Sequence, residues 1–141
     1  MRIVRRLSLA ASLFLLAAIA SAESLQGTTG HSEGDQWASS WLDLSSPTDF
    51  KKGEILTIKL EGNAENVVVR LLPSTSPPDA QDGLEGYVRK VPVTKVLIVK
   101  LESNHSQVKQ ISVHSGHAAW QISLGGNNGN ATIVSIDRST R

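Results

Sequence analysis

The sequence predicts an all-β fold, a two-sheet β-sandwich with jelly-roll connections and about eight short strands. Three observations carry this expectation. Apolar and polar residues alternate at period two in most segments from Trp37 onward, β-branched residues dominate those segments, and clusters of Gly, Asn, Ser and Pro separate them. No long stretch beyond residue 22 repeats its apolar residues at the helical period, so helices have no place in the prediction.

The first element is a signal peptide over residues 1–22. Arg2, Arg5 and Arg6 precede an apolar run from Leu7 to Ala20, and Ala20-Ser21-Ala22 supplies small residues for cleavage. The run falls short of the roughly 20 residues that span a hydrocarbon core, which favours cleavage over a retained membrane helix. The chain has no cysteine, so a lipid anchor through that residue is excluded and no disulfide stabilises the exported domain. Residues 23–36 are mostly Gly, Ser, Thr and charged side chains without a period, which predicts a loose N-terminal arm. The β-sandwich domain then occupies residues 37–141.

Within that domain Ala38, Leu42 and Leu44 alternate with Trp37, Ser39, Trp41 and Asp43. Leu56, Ile58 and Leu60 alternate with Thr57, Lys59 and Glu61. Each pattern predicts a strand with one buried face. Val67 to Leu72 is apolar apart from Arg70, as in a strand covered on both sides, and Gly62-Asn63 before it predicts a hairpin with the preceding strand. Tyr87 to Leu101 reads as two strands broken near Pro92, and the long 73–86 link before it is expected to cross between sheets. Gln107 to His114, Ala118 to Leu124 and Ala131 to Ile136 complete the set, separated by Ser115-Gly116 and Gly125-Gly126-Asn127-Asn128-Gly129.

Composition narrows the function. The 141 residues, 40% hydrophobic, hold 14 basic and 13 acidic side chains with a formal charge of +1, which suits one small domain and no nucleic-acid-binding tail. Loss of Arg2, Arg5 and Arg6 with the signal would leave an excess of acid. Nucleophile-elbow, Walker and dinucleotide motifs are missing, so the sequence assembles no catalytic centre and calls for no cofactor. His114 and His117 point to opposite strand faces unless the chain bends between them, and Asp79, Asp82 and Glu85 match no calcium-loop spacing, so no metal site is assigned.

The candidate binding residues are Trp37, Trp41, Asp43, Arg70, Gln110 and His114. Trp37 and Trp41 share a strand phase with Ser39 and Asp43, which sets two indoles roughly 13 Å apart on a polar face. Indoles so placed stack on pyranose rings while polar neighbours take the hydroxyls; the alternative is that they cover a sheet edge or pack under a loop. Trp120 has the opposite setting, in phase with Ala118, Ile122 and Leu124, which predicts a core ring. Gln110, Ser112 and His114 present an amide, a hydroxyl and an imidazole in one row, and Arg70 interrupts an apolar run, so its guanidinium needs solvent, a carboxylate or a ligand oxygen.

The signal segment, the strand count, the Trp37-x-x-x-Trp41 face and the ending from Gln110 to Gly116, followed by Trp120 and the glycine-asparagine turn, resemble galactose-binding-like and carbohydrate-binding β-sandwich modules of secreted bacterial proteins. The resemblance spans Trp37 to Ile136 at the level of architecture and transfers no site residue. It implies a secreted or periplasmic, non-catalytic ligand-binding domain whose partner is a carbohydrate. The competing expectation is a structural or protein-interaction domain that meets another secreted protein through a sheet face or edge.

Overall fold

In the computed structural model the described residues are 22–33, 37–75, 86–116 and 129–140. The expected signal cleavage, the strand over 118–124 with Trp120, His117, most of the 73–86 link and most of the glycine-asparagine turn lie outside them. Nine strands and no helix are present among the described residues. They are β1 (Glu23–Ser24), β2 (Gly27–Glu33), β3 (Trp37–Phe50), β4 (Ile55–Gly62), β5 (Asn66–Leu72), β6 (Tyr87–Lys90), β7 (Val96–Lys100), β8 (His105–Gly116) and β9 (Ala131–Ser139).

Two antiparallel sheets result, one ordered β1-β9-β4-β7 and the other β2-β3-β8-β5-β6. With β2 set aside as an added edge strand, successive strands alternate between the sheets except at β5–β6. That alternation is the jelly-roll connectivity the sequence predicts.

The predicted alternation sets the core. Leu42 and Leu44 of β3, Val67 and Val69 of β5, and Ile111 and Val113 of β8 face inward from one sheet. Leu56, Ile58 and Leu60 of β4 meet them from the other, with Val99, Ile133 and Ile136. Burial of each such side chain contributes about 1.5–3 kcal/mol, the main stabilising term in a chain without disulfides. Ser40 stitches the sheets together, its hydroxyl oxygen accepting the Ile133 N–H at 2.9 Å. At one end of the sandwich Glu54 accepts two bonds from the Arg138 guanidinium, at 2.6 and 3.1 Å, and Arg138 lies 4.3 Å over the Phe50 ring.

Three local expectations differ from the structure. The described part of the expected arm, 23–33, holds two paired strands: β1 pairs with β9, and β2 pairs with β3 from Gly27↔Leu44 to Glu33↔Ala38. Its residues have no apolar period because an edge strand with mostly exposed side chains needs none. Strands β4 and β5 do not form a hairpin but sit in different sheets. Gly62 turns the chain at φ +114°, and the Asn130 carbonyl accepts the Asn63 and Ala64 N–H groups at 3.0 and 2.9 Å, holding the crossing against β9. Finally, the strands on either side of the 73–86 link share one sheet, β5 and β6 being paired neighbours from Asn66↔Lys90 to Val69↔Tyr87.

Candidate functional site

Register partners in adjacent antiparallel strands share a sheet face. On the side of the five-stranded sheet turned away from the core, one row runs Ser32–Ser39–His114–Val68–Val88. The next is Gly30–Trp41–Ser112–Arg70, and the third Thr28–Asp43–Gln110–Leu72. Five of the six candidate residues, Trp41, Asp43, Arg70, Gln110 and His114, therefore meet on one face although they come from three strands. Trp37 begins β3, paired with Gly116 at the end of that face.

This face is polar yet largely withdrawn from solvent. Gln110 and Ser112 are 0% exposed and Ser39 and His114 1%, whereas Asp43 and Arg70 are half-buried. Burial on that scale demands partners, since an unpaired buried polar group costs about 1–3 kcal/mol. His114 meets the Ser39 hydroxyl at Nδ1, 2.8 Å away, and the Ser112 hydroxyl at Nε2, 3.4 Å away. A neutral imidazole donates from one nitrogen and accepts at the other, and each hydroxyl can take either part. The Ser39–His114 contact has the length of a nucleophile–base pair, and the Ser112 hydroxyl lies at the second nitrogen.

Gln110 uses both amide protons, donating to Asp43 Oδ1 at 2.9 Å and to the Thr75 carbonyl at 3.1 Å. The opposite orientation of the amide would set oxygen against two oxygens, so the donors fix it. Its carbonyl Oε1 is left buried without a hydrogen-bond partner. Beside it the Asp43 carboxylate offers acceptor capacity and Arg70 a guanidinium, so acceptors and donors converge within two adjacent rows.

Trp41 departs from the stacking role predicted for it. Its indole is only 9% exposed and lies against Gly30 of β2, where a Cβ would come within 2.6 Å of Nε1. The ring covers the edge strand, the alternative reading of its strand phase. Sequence reasoning missed β2 as part of this face because Gly30 is legible only once its partner across the ladder is known.

Among the described residues no three metal-capable side chains gather. His31 and Glu33 lie 3.5 Å apart on β2, both about half exposed. At the far end of β8, burial holds the His105 imidazole below its ordinary pKa, with the Tyr87 hydroxyl 3.0 Å from Nε2. In comparisons with known proteins, the chain matches no family model, no curated protein and no solved structure.

Proposed function

We propose that this protein is an exported, non-catalytic binding module that takes a hydroxyl-rich ligand, a carbohydrate, at the outer face of the five-stranded sheet. The observation that carries the reading is the meeting of Asp43, Arg70 and Gln110 in adjacent rows, with the Gln110 carbonyl oxygen buried and unpaired. A sugar hydroxyl both donates and accepts. It can donate to a carboxylate or amide oxygen while accepting from a guanidinium, and an array of such groups is how a rigid site recognises a polyol. Half-buried Asp43 and Arg70 form the accessible part of the site; Gln110, Ser112 and His114 form its polar floor. The reading rests on these polar groups rather than on ring stacking by Trp41.

The test is binding of the mature protein to an array of neutral glycans, with Asp43→Asn and Arg70→Ala measured beside it. Binding that falls at least tenfold in both variants, with thermal midpoints retained, supports the site. A protein that binds no glycan, or variants that bind as the parent does, overturns it. Export is tested by intact mass: a mature chain beginning near Glu23 is expected, and retention of residues 1–22 refutes it.

A second reading, a protein-interaction domain, draws on β2. This seven-residue edge strand has no proline or lysine to block strand addition. A Thr29→Pro variant that dissociates a complex observed for the parent by sedimentation would favour it; a monomeric parent speaks against pairing between copies.

A further inference from the structure

A second feature lies at one end of the sandwich, outside the polar face. The turn between β3 and β4, the strand β6 and the end of β7 enclose a cleft of about 460 Å³ lined by Lys52, Gly53, Arg89, Lys100, Leu101 and Glu102. Its walls are tied to one another. Gly53 N–H donates to the Leu101 carbonyl at 2.8 Å, Leu101 N–H to the Glu54 carbonyl at 2.8 Å, and Lys52 N–H to Asn104 Oδ1 at 2.8 Å. The Glu102 N–H donates to the Tyr87 hydroxyl at 3.2 Å, and Arg89 sits 5.5 Å from the Tyr87 ring centroid. The cleft is thus preformed. It is also open at Gly53, where a Cβ would meet no atom within 4 Å.

Three cations face one carboxylate here. Glu102 contacts Arg89 at 3.3 Å, but its side chain is 72% exposed. A pair in that setting contributes little, so Arg89 can turn to an incoming anion. Lys52 and Lys100 have no anionic partner among the described residues. A neighbouring cleft that shares Lys52 and Gly53 shows the contrast: beside Lys51 it contains Asp49 and Glu54, and its Arg138 is already engaged by Glu54. The positive cleft is no reflection of a basic protein either, because the sequence after residue 22 carries more acidic than basic side chains.

The chemistry selects the form of the anion. Small oxyanions are held by converging backbone N–H groups, whereas the N–H groups of Lys52, Gly53, Leu101 and Glu102 are all spent in the bonds above. What remains is a rim of spaced, flexible charges, which suits several anionic groups carried on one chain. Among the described residues no aromatic ring lines the cleft to stack a base, which disfavours single-stranded nucleic acid. We propose that this cleft binds an acidic polysaccharide through its carboxylate or sulfate groups, with Lys52, Lys100 and Arg89 as the contacts. The proposal uses none of the residues on the outer sheet face.

The experiment is fluorescence anisotropy of the mature protein with two labelled probes, a heparin oligosaccharide and a polygalacturonate oligosaccharide, at low and physiological ionic strength. Lys52→Gln/Lys100→Gln is expected to weaken binding of at least one probe roughly tenfold and to flatten its salt dependence. The charge-matched Lys59→Gln/Lys95→Gln control should stay within about twofold of the parent. Equal losses in the lysine control would reduce the effect to net charge and overturn the site. So would unchanged binding in Lys52→Gln/Lys100→Gln, competition by inorganic sulfate at equal ionic strength, or tighter binding of a labelled single-stranded oligonucleotide lost in the same variant. Loss in Asp43→Asn alone would assign binding to the sheet face and also refute the cleft.

Discussion

Gly30→Ala probes the covered sheet face most directly. The new Cβ would stand 2.6 Å from Trp41 Nε1, 2.7 Å from Cε2 and 2.8 Å from Cζ2. All three are well inside van der Waals contact, and the indole is 9% exposed, so a rigid ring has little room to withdraw. Overpacking of this kind costs about 1–3 kcal/mol. Trp41→Ala should cost about 3 kcal/mol through lost burial and the space left behind. In the double variant the clash disappears, so adding Gly30→Ala to Trp41→Ala should cost about 1 kcal/mol less than adding it to the parent. Equilibrium urea denaturation of the four proteins reads the cycle. Gly53→Ala is the control: its φ of +92° strains any Cβ by about 1 kcal/mol, yet it touches nothing near Trp41 and should show no coupling. If Gly30→Ala is neutral, or costs the same with and without the indole, the ring does not pack on β2 and the account of this face fails.

Tyr87→Phe should cost about 1–2 kcal/mol by urea denaturation, because the Glu102 N–H loses its acceptor and His105 Nε2 a partner. His105 favours its neutral form in the fold, so its contribution is complete above about pH 6.5 and declines as pH falls through that value toward the lower folded-state pKa. A His105→Gln variant should lose this part of the pH dependence, and an unchanged profile would refute the assignment. Asp49 has its carboxyl held below the ordinary range first by the Gln107 N–H and then by the Gln107 side chain. Its stabilisation is present above about pH 3.9 and is lost as pH falls through the lower folded value, so Asp49→Asn should flatten the acid limb of a thermal-midpoint profile. Glu54→Ala should cost about 3 kcal/mol in denaturant titrations, since it leaves the Arg138 guanidinium without its main partner in a site where both side chains are mostly buried.

Those perturbations follow from contacts that sequence could reach only in part. The alternation of Leu56, Ile58 and Leu60 against Thr57, Lys59 and Glu61 marked a strand and its inward face, as it did for β3 and β8. Which strands pair was a separate matter. The same alternation fits a hairpin partner in either sheet, and the choice fell to Gly62 and the Asn130 carbonyl, which lie 68 positions apart in the chain. The Glu54–Arg138 clamp and the Lys52–Arg89–Lys100 cleft are likewise products of topology, joining segments with no local signal for one another.

The polar face shows where period-two reasoning stops. Alternation assigned Trp41, Asp43, Gln110 and His114 to the side opposite Leu42 and Ile111, and the ladder registers place them there. It could not report whether that side meets water. A strand with polar residues on its second face reads as solvated, yet Ser39, Gln110, Ser112 and His114 are withdrawn from solvent, the two serines bonded to His114 at 2.8 and 3.4 Å and Gln110 to Asp43 at 2.9 Å. The residue types carried a clue. A solvated face is usually rich in Lys and Glu, whereas this one is built from Ser, Gln and His, side chains short enough to reach partners within a single strand spacing. Arg70 fits the same logic, because a lone guanidinium among Val67, Val68, Val69 and Leu71 is tolerated where polar groups lie beside it, and its register partner is Ser112. Composition of the outward row, more than its phase, therefore distinguishes a covered polar face from a wet one.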